Sequence, residues 1–168
     1  AKATNPKQKA SFQSLEAFVQ RGGTAVYLEI PLHTTLPSKE VLPIKVGKQR
    51  ASGLWIEVSH IVRDHPAFAG LPVNCMMGQA YENVWSRYVL KDVGGELIVG
   101  SVSYGFHADD TENQNYLGPE PAWYGMDMGI VSYGKGRYLL STLRLLESLG
   151  TDPVADKKTC RSDQEKPG

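Results

Sequence analysis

The chain has 168 residues, 41% of them hydrophobic and 21% charged, and eighteen basic side chains balance eighteen acidic ones. That is the composition of one globular domain with a real core, and it excludes a dominantly disordered chain or a coiled coil. The zero net charge argues against a protein that grips nucleic acid through its phosphates, and no apolar run approaches the ~20 residues of a membrane span. Residues 1–6 hold no apolar signal core, and the compartment is left open. Two cysteines, Cys75 and Cys160, are too few for a disulfide framework or a zinc cluster. Two free thiols are expected.

Residues 1–10 read as a flexible lead-in. Over residues 11–21, Phe12, Leu15, Phe18 and Val19 recur at helical spacing, and Gly22 and Gly23 stop the helix. The apolar run at 24–30 then reads as a strand buried on both faces, in the centre of a mostly parallel sheet. Prolines 31, 37 and 43 mark the stretch to Ala51 as a loop, and 54–58 as a further strand. Two prolines pin a tight turn at 65–72. Residues 88–93 and 96–102 are strands joined as a hairpin through Gly94 and Gly95. The polar stretch 107–121 reads as a surface loop. Residues 128–133 and 138–143 are strands that turn through Gly134, Lys135, Gly136 and Arg137. Beyond Leu149 apolar residues give out, and 157–168 is a polar tail. The tetrapeptide Val-Ser-Tyr-Gly occurs at 102–105 and 131–134, with no longer period behind it.

Serine chemistry is the first enzymatic possibility. A nucleophile elbow needs small residues on both sides of its serine, because the turn is strained. Ser103 and Ser132 each have the second glycine and lack the first, and neither precedes a convincing helix. His33, His60, His65 and His107 are all available as a base, and nothing in the sequence selects one. Cys75 lacks the glycine frame of a thiol elbow and reads as a small buried hydrophobe. Oxygen ligands gather at His107, Asp109, Asp110, Glu112 and Asn113, but the glycine and glutamate of a calcium loop are missing, so no metal site is expected. No cofactor motif is present either, since the glycines at 134 and 136 make a turn rather than a phosphate loop.

Carbohydrate chemistry has more support. Paired carboxylates carry glycoside hydrolysis; Glu57, Glu82, Asp92, Glu96 and Asp127 are available, Glu82 alone has both aromatic and amide neighbours, and Asp127 ends an aromatic run at 121–127. Tyr81, Glu82 and Trp85 lie together, as do Trp123, Tyr124 and Asp127. Rings beside carboxylates and amides suit a sugar, whose apolar face stacks while its hydroxyls need fixed partners. These six residues are the expected sugar contacts.

Three segments carry a family likeness: LEAFVQRGGTAV at 15–26, HPAFAGLP at 65–72 and GKGRYLLS at 134–141. In this order they resemble the amidotransferase-like accessory domains of large bacterial glycoside hydrolases of the β-galactosidase, family-2 type. The resemblance covers residues 11–156. It implies a three-layer, flavodoxin-like α/β fold with a mostly parallel sheet, and an architectural role beside a catalytic barrel. The strand that opens that fold has no counterpart in residues 1–10, so the chain reads as a fragment lacking its first strand. An open sheet edge then implies a homo-oligomer. No position matches the amidotransferase cysteine elbow. The expected function is thus a non-catalytic accessory or assembly domain that contacts carbohydrate or its parent hydrolase. The alternative is a stand-alone hydrolase of glycosides or esters using Glu82 and Asp127, or Ser103 or Ser132.

Overall fold

A computed structural model describes residues 6–30, 39, 41–51, 58–103, 106–108, 116–119 and 122–156. The helix α1 spans Pro6–Gln20, starting five residues earlier than the apolar spacing indicates. It ends as expected at Gly22, whose φ of +117° only glycine adopts easily, with Gly22 and Gly23 donating to the carbonyls of Val19 and Phe18. Ten strands follow: β1 (Thr24–Tyr27), β2 (Gly47–Arg50), β3 (Val58–Val62), β4 (Cys75–Met76), β5 (Tyr88–Lys91), β6 (Glu96–Ser103), β7 (Phe106–Ala108), β8 (Tyr116–Pro119), β9 (Tyr124–Tyr133) and β10 (Gly136–Ser141). Short 3-10 turns at Pro66–Phe68 and Gln79–Val84 complete the elements.

Eight strands form one mixed sheet in the order β1-β10-β9-β6-β3-β4, with β5 joining β9 and β2 joining β5. Only β1 and β10 run parallel; every other pair is antiparallel. The expected doubly wound, flavodoxin-like parallel sheet is therefore wrong. Nor is a first strand missing from such a sheet. The run at 24–30 is an edge strand instead of a central one, with Val26 39% exposed. Its apolar character comes from Ala25, Tyr27 and Ile30 packing under Leu42 and Val46.

The glycine hairpin is a second correction. β5 and β6 do not pair with each other, because β9 runs between them. The link crosses over β9, and Gly95, at φ +138°, lies so close that a β-carbon would meet the Ile130 carbonyl at 2.3 Å. The β9–β10 hairpin does form, through Gly134 at φ +62°. Within the expected surface loop, β7 and β8 pair as a separate two-stranded ribbon. Residues 109–115, 31–38, 52–57 and 157–168, with the ligand cluster at Asp109–Asn113, Cys160, His33 and most of the 54–58 strand, lie outside the described residues.

The sheet separates two apolar clusters. On one face Val131, Tyr138 and Leu140 meet Leu15 and Val19 of α1. On the other, Val62, Val99, Met128 and Ile98 meet Phe68, Tyr81 and Val84 of the two turns and Leu143, Leu145, Val154 and Ala155. Apolar packing thus continues past Leu149. Residues 153–156 form a helical turn capped by Asp152, whose Oδ1 accepts from Val154 N at 2.8 Å and Ala155 N at 3.2 Å. Burial raises the Asp152 pKa, but hydrogen bonds from Asn83 and these two amides outweigh it and hold the carboxyl below its ordinary value.

A depressed carboxyl stabilises the fold fully above its unfolded pKa, and that contribution is lost as pH falls through the folded value. Asp152→Ala is accordingly expected to cost about 1 kcal/mol at neutral pH. Urea denaturation should show the gap closing in strong acid; a gap independent of pH contradicts the cap.

Candidate functional site

The polar centre of the molecule sits where β3, β6 and β9 lie side by side. His60 pairs with Ser101 across β3 and β6, and both point to the face that carries Val62 and Val99. Asp127 reaches them through an irregularity. Gly100 lies opposite Met126 and Val99 opposite Met128, so Asp127 is an extra residue on β9, a bulge. A bulge re-aims side chains, and here it sends a carboxylate to the face of His60 and Ser101.

All three residues are buried, and Asp127 is wholly inaccessible. Ser101 donates to Asp127 Oδ2 at 2.6 Å. Its single proton is then used, so the 2.7 Å contact between Ser101 Oγ and His60 Nδ1 needs the ring nitrogen as donor. Asp127 Oδ1 stands 3.3 Å from the same nitrogen. The network therefore places a proton on Nδ1 and leaves Nε2 as the ring atom outside it.

This is not the geometry of a serine nucleophile. In a Ser-His-acid triad the serine faces Nε2 while the acid holds Nδ1. Here serine and acid share Nδ1, and Ser101 is 2% exposed. What the cluster does is hold an imidazole with Nε2 free. His60 stacks on Trp85, ring centroids 6.2 Å apart and planes 16° from parallel. Arg144 braces that ring's backbone, donating from Nε to Trp85 O at 2.8 Å and from Nη2 to Glu82 O at 3.2 Å. Ser86 donates to Thr142 Oγ1 at 3.0 Å, and Thr142 passes its proton-side bond to the Asp127 carbonyl at 3.1 Å. A cavity of about 360 Å³ opens beside His60, Trp85, Arg87 and Arg144.

A second groove, of about 400 Å³, runs along Lys91, Asp92, Gly95, Leu97 and Tyr124. Tyr124 is 78% exposed, and Lys91 Nζ lies 5.1 Å from its ring centroid and 5.9 Å from that of Trp123. The ammonium also donates to the Tyr124 carbonyl, which fixes the lysine beside the ring.

The six residues expected to contact sugar are thus dispersed. Tyr81 is a core residue whose hydroxyl donates to the Pro72 carbonyl, and burial pushes its phenol up to about 12. Glu82 is exposed on its turn, while Asp127 is sealed inside. Trp85 lines the His60 cavity, Tyr124 lines the other groove, and Trp123 packs against Ala51, Val58 and Val89. Ser103 is buried on β6, and Ser132 is exposed in the β9–β10 hairpin opposite Arg137. Ser101, Thr142 and Arg144 were not legible as site residues. Asp127 was, as the carboxylate beside Trp123 and Tyr124. Among the described residues no group of three His, Cys, Asp or Glu side chains is placed to hold a metal ion, and no helix is long and apolar enough to cross a membrane.

A scan against protein-family models and searches of curated proteins and of solved structures found no match to this chain.

Proposed function

We propose that this chain is a non-catalytic carbohydrate-contacting domain that serves a glycoside hydrolase, with its sugar contact at Tyr124. The observation that carries this reading is the exposed Tyr124 ring beside an open groove, with Lys91 and Asp92 within the same lining. A sugar ring stacks on such a platform through its C–H face and gives its hydroxyls to the flanking charges. The sharing of Nδ1 by Ser101 and Asp127 and the burial of Asp127 both favour binding over turnover. Association with a catalytic partner draws on an exposed apolar row: Met76 pairs with Ile61, Ile61 with Gly100, and Leu97 overlies Gly100. Met76, Ile61 and Leu97 are each more than a third exposed, a surface suited to a protein neighbour.

Affinity electrophoresis through gels containing neutral polysaccharides tests the platform. Retardation by at least one glycan is expected, and Tyr124→Ala should weaken it about tenfold, or about 1.4 kcal/mol. Equal mobility of the two proteins in every gel overturns the assignment.

A further inference from the structure

The cavity beside His60 is separate from the Tyr124 groove and has a chemistry of its own. His60 is 7% exposed, and its side-chain hydrogen bonds to described residues all fall on Nδ1. Nε2 has no hydrogen-bond partner among the described residues, yet it is not sealed: the one buried side-chain nitrogen or oxygen without a partner there is Trp85 Nε1. His60 lines the cavity, so an unpartnered ring nitrogen on a fixed, nine-tenths-buried side chain is left for a ligand hydroxyl, which donates to it when the ring is neutral.

The opposite requirement comes from the arginines. Arg87 and Arg144 line the cavity, and no acidic side chain does so among the described residues. One carboxylate, Glu147, sits 3.6 Å from Arg87 and 3.5 Å from Arg144, so two guanidinium groups share a single negative charge. Arg144 is committed to the carbonyls of Trp85 and Glu82. Arg87, 60% exposed, keeps donors for an incoming anion. Trp85 and Met77 supply an apolar wall, and about 360 Å³ suits a ligand of monosaccharide size.

We propose that this cavity binds a hydroxy acid of monosaccharide size, giving a ligand hydroxyl to His60 Nε2 and its carboxylate to Arg87. Sugar acids and non-sugar hydroxy acids share that chemistry. The site stands on its own observations, whether or not Tyr124 takes a neutral glycan.

Calorimetric titration of the full chain with glucuronate, galacturonate, the cyclic hydroxy acid quinate, glucose and cyclohexanecarboxylate tests the proposal. At least one of the three hydroxy acids should bind. Glucose, lacking the carboxylate, and cyclohexanecarboxylate, lacking hydroxyls, should bind at least tenfold more weakly. Preference for the uronates over quinate assigns a sugar source, and the reverse a non-sugar one. Arg87→Gln, at an exposed position, should weaken the hydroxy acid about tenfold, whereas Tyr124→Ala should not change it. The nitrogen resonance of His60 Nε2 should move on saturation with the hydroxy acid. No binding by any hydroxy acid, equal binding of cyclohexanecarboxylate, an unmoved Nε2 resonance or an unaffected Arg87→Gln protein each overturns it.

Discussion

Asp127→Ala is expected to remove about 3 kcal/mol of folding stability, a large share of the 5–15 kcal/mol that holds a domain together. The carboxylate is wholly buried and accepts from Ser101 at 2.6 Å, with His60 Nδ1 3.3 Å away. Truncation strips the Ser101 hydroxyl of its acceptor in a place water does not reach, at about 1–3 kcal/mol for an unmet group, while His60 Nδ1 keeps Ser101 Oγ. The small void left behind adds to this. Ser101→Ala removes a donor and keeps the carboxyl acceptor for Nδ1, so it should cost about 1–2 kcal/mol. Urea denaturation of the two variants gives the ranking. A loss under 1 kcal/mol for Asp127→Ala would show that the bulge on β9 does not aim this side chain at its partners.

Gly136→Ala is the second large effect, at about 3 kcal/mol. The residue opens β10 directly beneath the end of α1. A β-carbon there would stand 2.2 Å from both the Gly23 and Val19 carbonyl oxygens. Neither contact is the flexible tip of a side chain, so α1, the Gly22–Gly23 turn and the start of β10 must separate together. Thr24 pairs with Arg137 in the next step of the register, which places the parallel β1–β10 seam in the path of that shift. Thermal unfolding should drop by several degrees. A wild-type midpoint would mean that α1 does not pack against this strand as described.

Local structure was readable wherever one residue decides it. Gly22 stops α1, and Gly134 makes the β9–β10 hairpin, because each adopts a positive φ that side chains resist. Topology was not readable, for a physical reason. Continuous apolar runs suggest parallel strands because both faces are covered, yet the antiparallel β9 is covered on both faces too, by α1 on one side and the two 3-10 turns on the other. The run at 24–30 owes its apolar residues to a covering segment around Leu42 and Val46, which places it at an edge. Gly94 and Gly95 look like a hairpin because the sequence does not tell which strand will come between β5 and β6.

The site followed the same division. Asp127 and Tyr124 stood out together, as a carboxylate and a ring in one aromatic run. Their environments depend on register: the bulge that buries Asp127 exists only in the pairing of β6 with β9. His60 was one histidine among four until β3 placed it opposite Ser101.

One nuclear magnetic resonance titration tests the central claim, carbohydrate contact without turnover. The full chain is titrated with a neutral oligosaccharide drawn from the glycan that retards it, while the sugar's own anomeric signals are followed. Saturable amide shifts at Lys91, Asp92, Gly95 and Tyr124, with the oligosaccharide intact throughout, are the predicted result. New reducing-end signals, or no shift along that groove at saturating sugar, would contradict the account.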